Sequence, residues 1–213
     1  MIDWNCIEAQ PWGLDQFENI QTLQKKAWSQ VEAGHPGFLL AGEFFKVVTV
    51  GVRANPEHIL NSEIKPVKTD RGGATTLHSP GQLVIYPVVN LKKHKIGVKQ
   101  FIFEILEISR LTLLHFGVQS RIDLDQVGLW TENGKIGFCG IRIKNGITQY
   151  GVALNLNNDL KLFEQITSCG LSDVQFDKLE SHSKVSLEEF LKAWYGVAKG
   201  FEFNGLGQIE KNS

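Results

Sequence analysis

Cysteine is scarce in this chain, net charge is nearly absent, and no apolar run is long. Each shortage removes a class of function. The three cysteines among 213 residues are Cys6, Cys139 and Cys169. An odd number without metal-ligand spacing argues against a disulfide framework and predicts a reducing compartment. The six histidines are scattered and none forms a ligand spacing, so no metal is expected. With 22 Lys and Arg against 23 Asp and Glu, the formal net charge of −1 leaves no broad basic surface for nucleic acid. No run approaches membrane-spanning length, and no membrane association is expected. The opening stretch "MIDWNCIEAQPWGLDQF" has neither a basic region ahead of an apolar one nor an Arg-rich amphipathic pattern. The expectation is a soluble cytoplasmic protein. No repeat, low-complexity segment or linker divides the chain. Its 42% hydrophobic residues suffice for one large core, so residues 1–213 are read as a single domain.

The hydrophobic periodicity supplies the elements. Asp15 to Ala33 reads as a helix with Phe17, Ile20, Ala27 and Val31 on one face, ended by Gly34 and Pro36. "FLLAGEFFKVVTVG" (Phe38–Gly51) reads as two strands around a turn at Gly42. "QLVIYPVVNL" (Gln82–Leu91) is β-rich, and Pro87 within it predicts a sheet edge or a bulge. Val98 to Phe116 is an apolar helix closed by Gly117. In "KIGFCGIRIKNGITQYGVALNL", Asn145-Gly146 joins two strand-like runs, a strong hairpin signal because both central turn positions need φ > 0. Ser186 with Glu189 forms a capping box ahead of a stripe of Leu187, Phe190, Leu191, Trp194 and Val197. Beyond Phe201 the chain is expected to fray. Hairpin-connected strands with segregated helices define an α+β fold.

One loop carries chemistry. "TDRGGATTLHSPGQLVIYP" (Thr69–Pro87) combines glycines, an arginine, a histidine and hydroxyl residues ahead of a strand. Glycines let backbone N–H groups approach a ligand, Arg71 can orient a carbonyl, carboxylate or phosphate, and His78 can donate to an oxyanion or orient a neighbour. An ordinary glycine-rich turn with a satisfied histidine accounts for the same residues. Walker A and dinucleotide fingerprints are both absent. Any nucleophile must come from elsewhere. "QITSCGLSD" sets Cys169 among small polar residues and a glycine, whereas Cys139 in "IGFCGI" reads as a packed small hydrophobe. Lys135 opens the first hairpin strand. It is either a solvated edge charge or, if it meets Cys169, an ammonium that stabilises the thiolate.

Four motifs, "RGGATTLHSPGQLVIYPVVNL", "GKIGFCGIRI", "GVALNLNNDLKLF" and "TSCGL", occur in the order and spacing of the lipoyl(octanoyl) transferase family, which the chain resembles from about Phe38 to Leu171. The family is related to biotin and lipoate protein ligases. The resemblance implies their catalytic core, a mixed, largely antiparallel sheet flanked by helices. It implies transfer of octanoyl from acyl carrier protein to a lysine of lipoyl domains, those of the 2-oxoacid dehydrogenase complexes and the glycine cleavage H protein, with no cofactor. It places the acyl-thioester cysteine at Cys169 and its tuning lysine at Lys135. The substrate pocket falls on Arg71, Gly72, Gly73, Ala74, Thr75, Thr76, Leu77 and His78, on Phe138, Cys139 and Gly140, and on Gly151, Val152 and Ala153. The basic run "KKHKIGVK" (Lys92–Lys99) either steers acidic partners or is simply solvated.

Departures from the family pattern cluster at the presumed pocket. Leu77 stands for a tyrosine, Ser79 for a glycine, Phe44 and Tyr150 for histidines, Lys46 and Ser168 for prolines. Three other functions are compatible with the same core. An ATP-dependent lipoate or biotin ligase needs no cysteine, a non-catalytic acyl-binding protein needs only the pocket, and a thioesterase would give the acyl group to water.

Overall fold

The apolar stripes form helices at the expected places. In the computed structural model, which describes residues 1–61, 63–167 and 174–202, helix α1 spans Phe17–Glu32. It buries Phe17, Ile20, Gln24, Ala27 and Val31, and Gly34 follows with φ +119°. A short helix, α2 (Leu91–His94), precedes α3 (Val98–His115), which ends before Gly117 at φ +82°. Helix α4 (Leu187–Lys199) starts on the Ser186–Glu189 capping box and buries Phe190 and Trp194. The tail beyond residue 202, where fraying was expected, lies outside the described residues. No described helix is long and apolar enough to cross a membrane.

Among the described residues ten strands form two sheets. They are β1 (Glu8–Asp15), β2 (Gly37–Phe44), β3 (Val47–Val50), β4 (Val67–Lys68), β5 (Thr75–His78), β6 (Gln82–Val89), β7 (Arg121–Asp123), β8 (Gly128–Trp130), β9 (Lys135–Lys144) and β10 (Ile147–Asn155). The seven-stranded sheet has the order β1-β2-β6-β10-β9-β8-β7, and the three-stranded sheet β4-β3-β5. Within the larger sheet β1 and β2 are parallel and every other pair is antiparallel. The α+β expectation of a mixed, largely antiparallel sheet flanked by helices is met. The β9–β10 hairpin turns at Asn145 (φ +54°) and Gly146 (φ +87°), as its sequence requires.

Alternation along the strands gives the large sheet two different faces. Leu83, Ile85, Val152 and Leu154 pack with Phe101, Ile105, Phe190 and Trp194 of α3 and α4. Val84, Tyr86, Phe138 and Ala153 join Phe17, Ile20 and Val31 of α1 and Leu77 of the small sheet.

Two sequence expectations change. Gly42 lies inside β2, and the chain turns at Phe45-Lys46. The glycine is needed for close approach instead. A Cβ there would sit 2.5 Å from both the Gly13 carbonyl and Trp12 Nε1 of β1. Gly42→Ala should therefore cost roughly 1–3 kcal/mol. In a thermal melt that lowers the midpoint by about 2–4 °C per kcal/mol. Pro87 is at neither an edge nor a bulge, because β6 is paired on both sides and neither of its ladders shifts register. The proline falls where the β10 ladder is interrupted, beyond the Ile85–Val152 pair. There the Thr148 hydroxyl takes over, donating to Pro87 O at 2.6 Å and accepting from Val89 N at 2.9 Å. The ladder thus tolerates a residue that has no N–H to give.

Candidate active site

Lys135 begins β9 and is 1% exposed, so it is no edge charge. An extra residue aims it. Trp130 pairs with Lys135 and Leu129 with Gly137, leaving Ile136 as a bulge. Without the bulge Lys135 and Phe138 would face opposite sides of the sheet. With it they share one, because their partners Trp130 and Gly128 lie two residues apart. The ammonium donates to Gln126 O (3.0 Å) and Val127 O (3.2 Å) and lies 5.1 Å from the Trp130 ring centre and 5.4 Å from that of Phe138. Gly128 makes room, since a Cβ on it would lie 2.8 Å from Lys135 Cε.

The lysine opens onto a cavity of about 320 Å³ between β6, β9 and β10 of the large sheet and β5 with its preceding loop. That volume is at the small end of the ~300–1,000 Å³ typical of small-molecule sites. Of the residues read from the sequence, Arg71, Gly73, Ala74, Thr76, His78, Phe138, Cys139, Gly140, Gly151, Val152 and Ala153 line it with Lys135. Gly72, Thr75 and Leu77 do not. Strand alternation turns Thr75 and Leu77 away from Thr76 and His78. Gly72 meets protein instead: its N–H donates to Ile141 O at 2.9 Å, and a Cβ on Gly140 would lie 2.9 Å from its carbonyl. Part of the glycine-rich signal thus serves docking of the loop onto β9.

Arg71 also has a structural task. Its guanidinium donates to the Thr49 hydroxyl and carbonyl, and to the carbonyls of Gly72 and Ala74, at 2.8–3.2 Å. These bonds tie the loop to β3 and into its own curve. Outside, Asp70 accepts from Tyr150 Oη at 3.0 Å and pairs with Arg142 at 2.6 Å, latching the loop to the hairpin. Tyr150 holds φ +60°, a conformation rare for a bulky residue, and its burial beside Asp70 pushes the phenol up to about 12.

His78 is buried, with Nδ1 2.6 Å from Gln82 Oε1. Burial pushes its pKa down to about 4, the Gln82 bond opposes this, and the Arg71 charge adds to it; the ring is neutral at pH 7. Cys139 also lines the cavity. Its burial drives the thiol up to about 12, against the pull of Lys135, which suits a wall residue and not a nucleophile.

Cys169 lies outside the described residues, as does Ser168. The described chain on either side is anchored at the cavity. Thr167 N donates to the carbonyl of His58, a lining residue, at 2.7 Å. On the far side Gln175 O accepts from Lys135 N at 2.9 Å, and Asp177 N donates to Lys135 O at 3.0 Å. Phe163 and Phe176, from the two flanks, stack at 4.4 Å and join Phe138.

With Tyr150, described above, Arg53, His58, Tyr86, Asp125, Gln126 and Val127 complete the lining; these six were not singled out from the sequence. They come from three turns and a strand whose local patterns carry no chemical signal. The basic run is remote. Leu91 N bonds Gly146 O at 2.8 Å, placing α2 at the turn of the hairpin, the end away from Lys135. Among the described residues no group of three or more His, Cys, Asp and Glu could hold a metal.

A buried lysine thus stands over a cavity on this mixed sheet. The fold is that of lipoate protein ligases. A bi-partite lipoate protein ligase from Thermoplasma acidophilum superposes with a TM-score of 0.69 at 14% identity, covering 90% of this chain and 82% of that one. A family model described as the lipoyl protein ligase A/B catalytic domain matches residues 16–196, and the chain belongs to that family. Its relatives include an octanoyltransferase from Maridesulfovibrio salexigens, 38% identical over 183 residues, with 82% of this chain and 85% of the relative covered. Another, from Legionella pneumophila strain Lens, is 36% identical over 179 residues, covering 83% and 90%.

Proposed function

We propose that this protein is an acyltransferase that moves an octanoyl group onto lipoyl domains, with Cys169 as nucleophile and Lys135 as its proton partner. The octanoyltransferase relatives support the reaction class. The observation that carries the chemistry is the buried ammonium of Lys135, turned into the cavity by a bulge. Cys169 is two residues from Thr167, which is pinned to the cavity wall; two residues span up to about 7 Å. Octanoyl-acyl carrier protein is the donor. Lipoyl domains of 2-oxoacid dehydrogenase complexes and the glycine cleavage H protein are the acceptors.

The reaction has two halves. The Cys169 thiolate attacks the thioester carbon, a new C–S bond forms and the bond to the carrier breaks. Lys135 gives its proton to the departing thiolate. The lysine amine of the acceptor then attacks the octanoyl-enzyme, a C–N bond forms, Cys169 leaves as thiolate, and Lys135 takes one amine proton. An amide is more stable than a thioester, so no ATP is consumed. The apolar wall of Tyr86, Phe138 and Ala153 would receive the chain.

Intact-protein mass spectrometry tests this without ATP. Octanoyl-acyl carrier protein should add one hydroxylamine-labile octanoyl group to the wild type and none to Cys169→Ala, and a lipoyl domain should remove it. No adduct on the wild type would sink the covalent reading. ATP-dependent transfer of free octanoate would establish the ligase reaction in its place.

A further inference from the structure

A chain of buried side-chain hydrogen bonds runs from the cavity wall to the segment beside Lys135, and its direction is fixed at one end. The Asp177 carbonyl can only accept, and Asn155 Nδ2 donates to it at 3.0 Å. Asn155 Oδ1 therefore faces the other way, accepting from Gln82 Nε2 at 2.9 Å and Asn158 Nδ2 at 3.2 Å. Gln82 Oε1 is left facing His78 Nδ1 at 2.6 Å. An amide oxygen cannot donate, so the hydrogen of that bond belongs to Nδ1. Asn155, Gln82 and His78 are all buried, which keeps water from offering alternative partners. In a neutral ring the other nitrogen, Nε2, then carries a lone pair. The ring lines the cavity, and among the described residues only Nδ1 has a hydrogen-bond partner. A bound molecule meets a hydrogen-bond acceptor there. An acceptor here differs from the donor to an oxyanion that is one of the two roles read from the sequence for His78.

We propose that His78 Nε2 receives an N–H of the incoming lysine amine, and that Gln82 and Asn155 are positioning residues that hold His78 in the tautomer able to do so. The inference rests on the octanoyl-transfer reading. A neutral primary amine has two hydrogens and one lone pair, and the lone pair must aim at the thioester carbon. As the C–N bond forms and the C–S bond to Cys169 breaks, one hydrogen passes to Lys135. The other stays on the product amide, and it is this one that His78 holds throughout. No N–H sits at the reacting carbon in the donor half-reaction, so His78 acts in the second half alone.

The test separates the halves by intact mass. Octanoyl-acyl carrier protein is added first, a lipoyl domain second, each followed in single turnover. His78→Asn keeps an N–H toward Gln82 and removes the acceptor. Its loss in transfer should exceed its loss in acylation by about 100-fold, the cost of misaligned attack. His78→Gln, whose amide oxygen reaches about where Nε2 lies, should recover part of the transfer. Gln82→Met, which frees the tautomer without touching the cavity, should slow transfer about tenfold. Long-range ¹H–¹⁵N spectra should show Nδ1–H for His78 in the wild type and a tautomer mixture in Gln82→Met. An Nε2–H wild type, or equal losses in both halves for His78→Asn, overturns the inference even though octanoyl transfer itself stands. A wild type that takes up no octanoyl or passes none on removes the functional reading and the amine assignment together, whatever the tautomer.

Discussion

Replacing Lys135 with methionine lowers octanoyl transfer by about 10³–10⁴-fold, or roughly 4–5 kcal/mol of barrier, and leaves a folded protein. The size follows from the two duties proposed for the lysine, proton donor in one half-reaction and acceptor in the other. Folding survives because methionine fills nearly the same space, and an apolar side chain suits the ring surfaces of Trp130 and Phe138 on either side of the ammonium. The carbonyls of Gln126 and Val127 lose their donor, but their turn borders a cavity that water can enter. Single-turnover rates and a melting curve measured on the same sample check both parts. A variant retaining a tenth of wild-type transfer would remove Lys135 from the chemistry, and one that no longer folds would make the lysine a structural residue.

Acid destabilises the protein between about pH 6.5 and 4, before most carboxylates titrate. The sign comes from His78, whose pKa is lowered from 6.5 to about 4 in the fold by burial. In that window the unfolded chain holds the proton and the folded one does not. Acidification therefore favours unfolding, by about 1.4 kcal/mol per pH unit and roughly 3 kcal/mol in all. Below pH 4 this contribution is constant. His94 is also lowered, by burial, and adds to the same window, but it is only partly buried. The lowered carboxyls of Asp177 and Asp123 add their loss as pH falls through their folded values, beneath the usual 3.8. Glu104, raised by burial, acts in the opposite sense. Urea unfolding at pH 7.5 and 5 should show the effect in the wild type and most of it gone in His78→Gln. Equal slopes in the two proteins would mean that His78 titrates normally.

Local pattern was a good guide wherever local physics decides. The α1 stripe, the Asn145-Gly146 turn and the Ser186 cap are set by residues within a few positions of one another, and each formed as read. Tertiary contact decided the rest. Gly42 resembles a turn residue, but its missing Cβ serves β1, whose own Pro11 and Gly13 conceal a strand. Pro87 resembles an edge residue, but Thr148, far along the chain, satisfies the backbone beside it. In the site, Lys135 was legible only as a member of a motif, because a bulge cannot be seen until its partner strand is known. Arg71, which lines the cavity as read, also holds its own loop, a task hidden in the sequence because its acceptors lie on β3 and across a curve. Gln82 and Asn155 went unread for the same reason, being 73 positions apart in the chain.

The two unlike faces of the large sheet have a practical consequence for engineering. Trp194 of α4 donates to Ser109 of α3 at 2.8 Å, and both helices seal a core on the side away from the cavity. A thermostabilising library confined to α3 and α4 therefore leaves the residues that line the cavity untouched. The same library drawn from β5, β9 and β10 would trade heat resistance against speed, because there the residues that pack are also the residues that line the cavity.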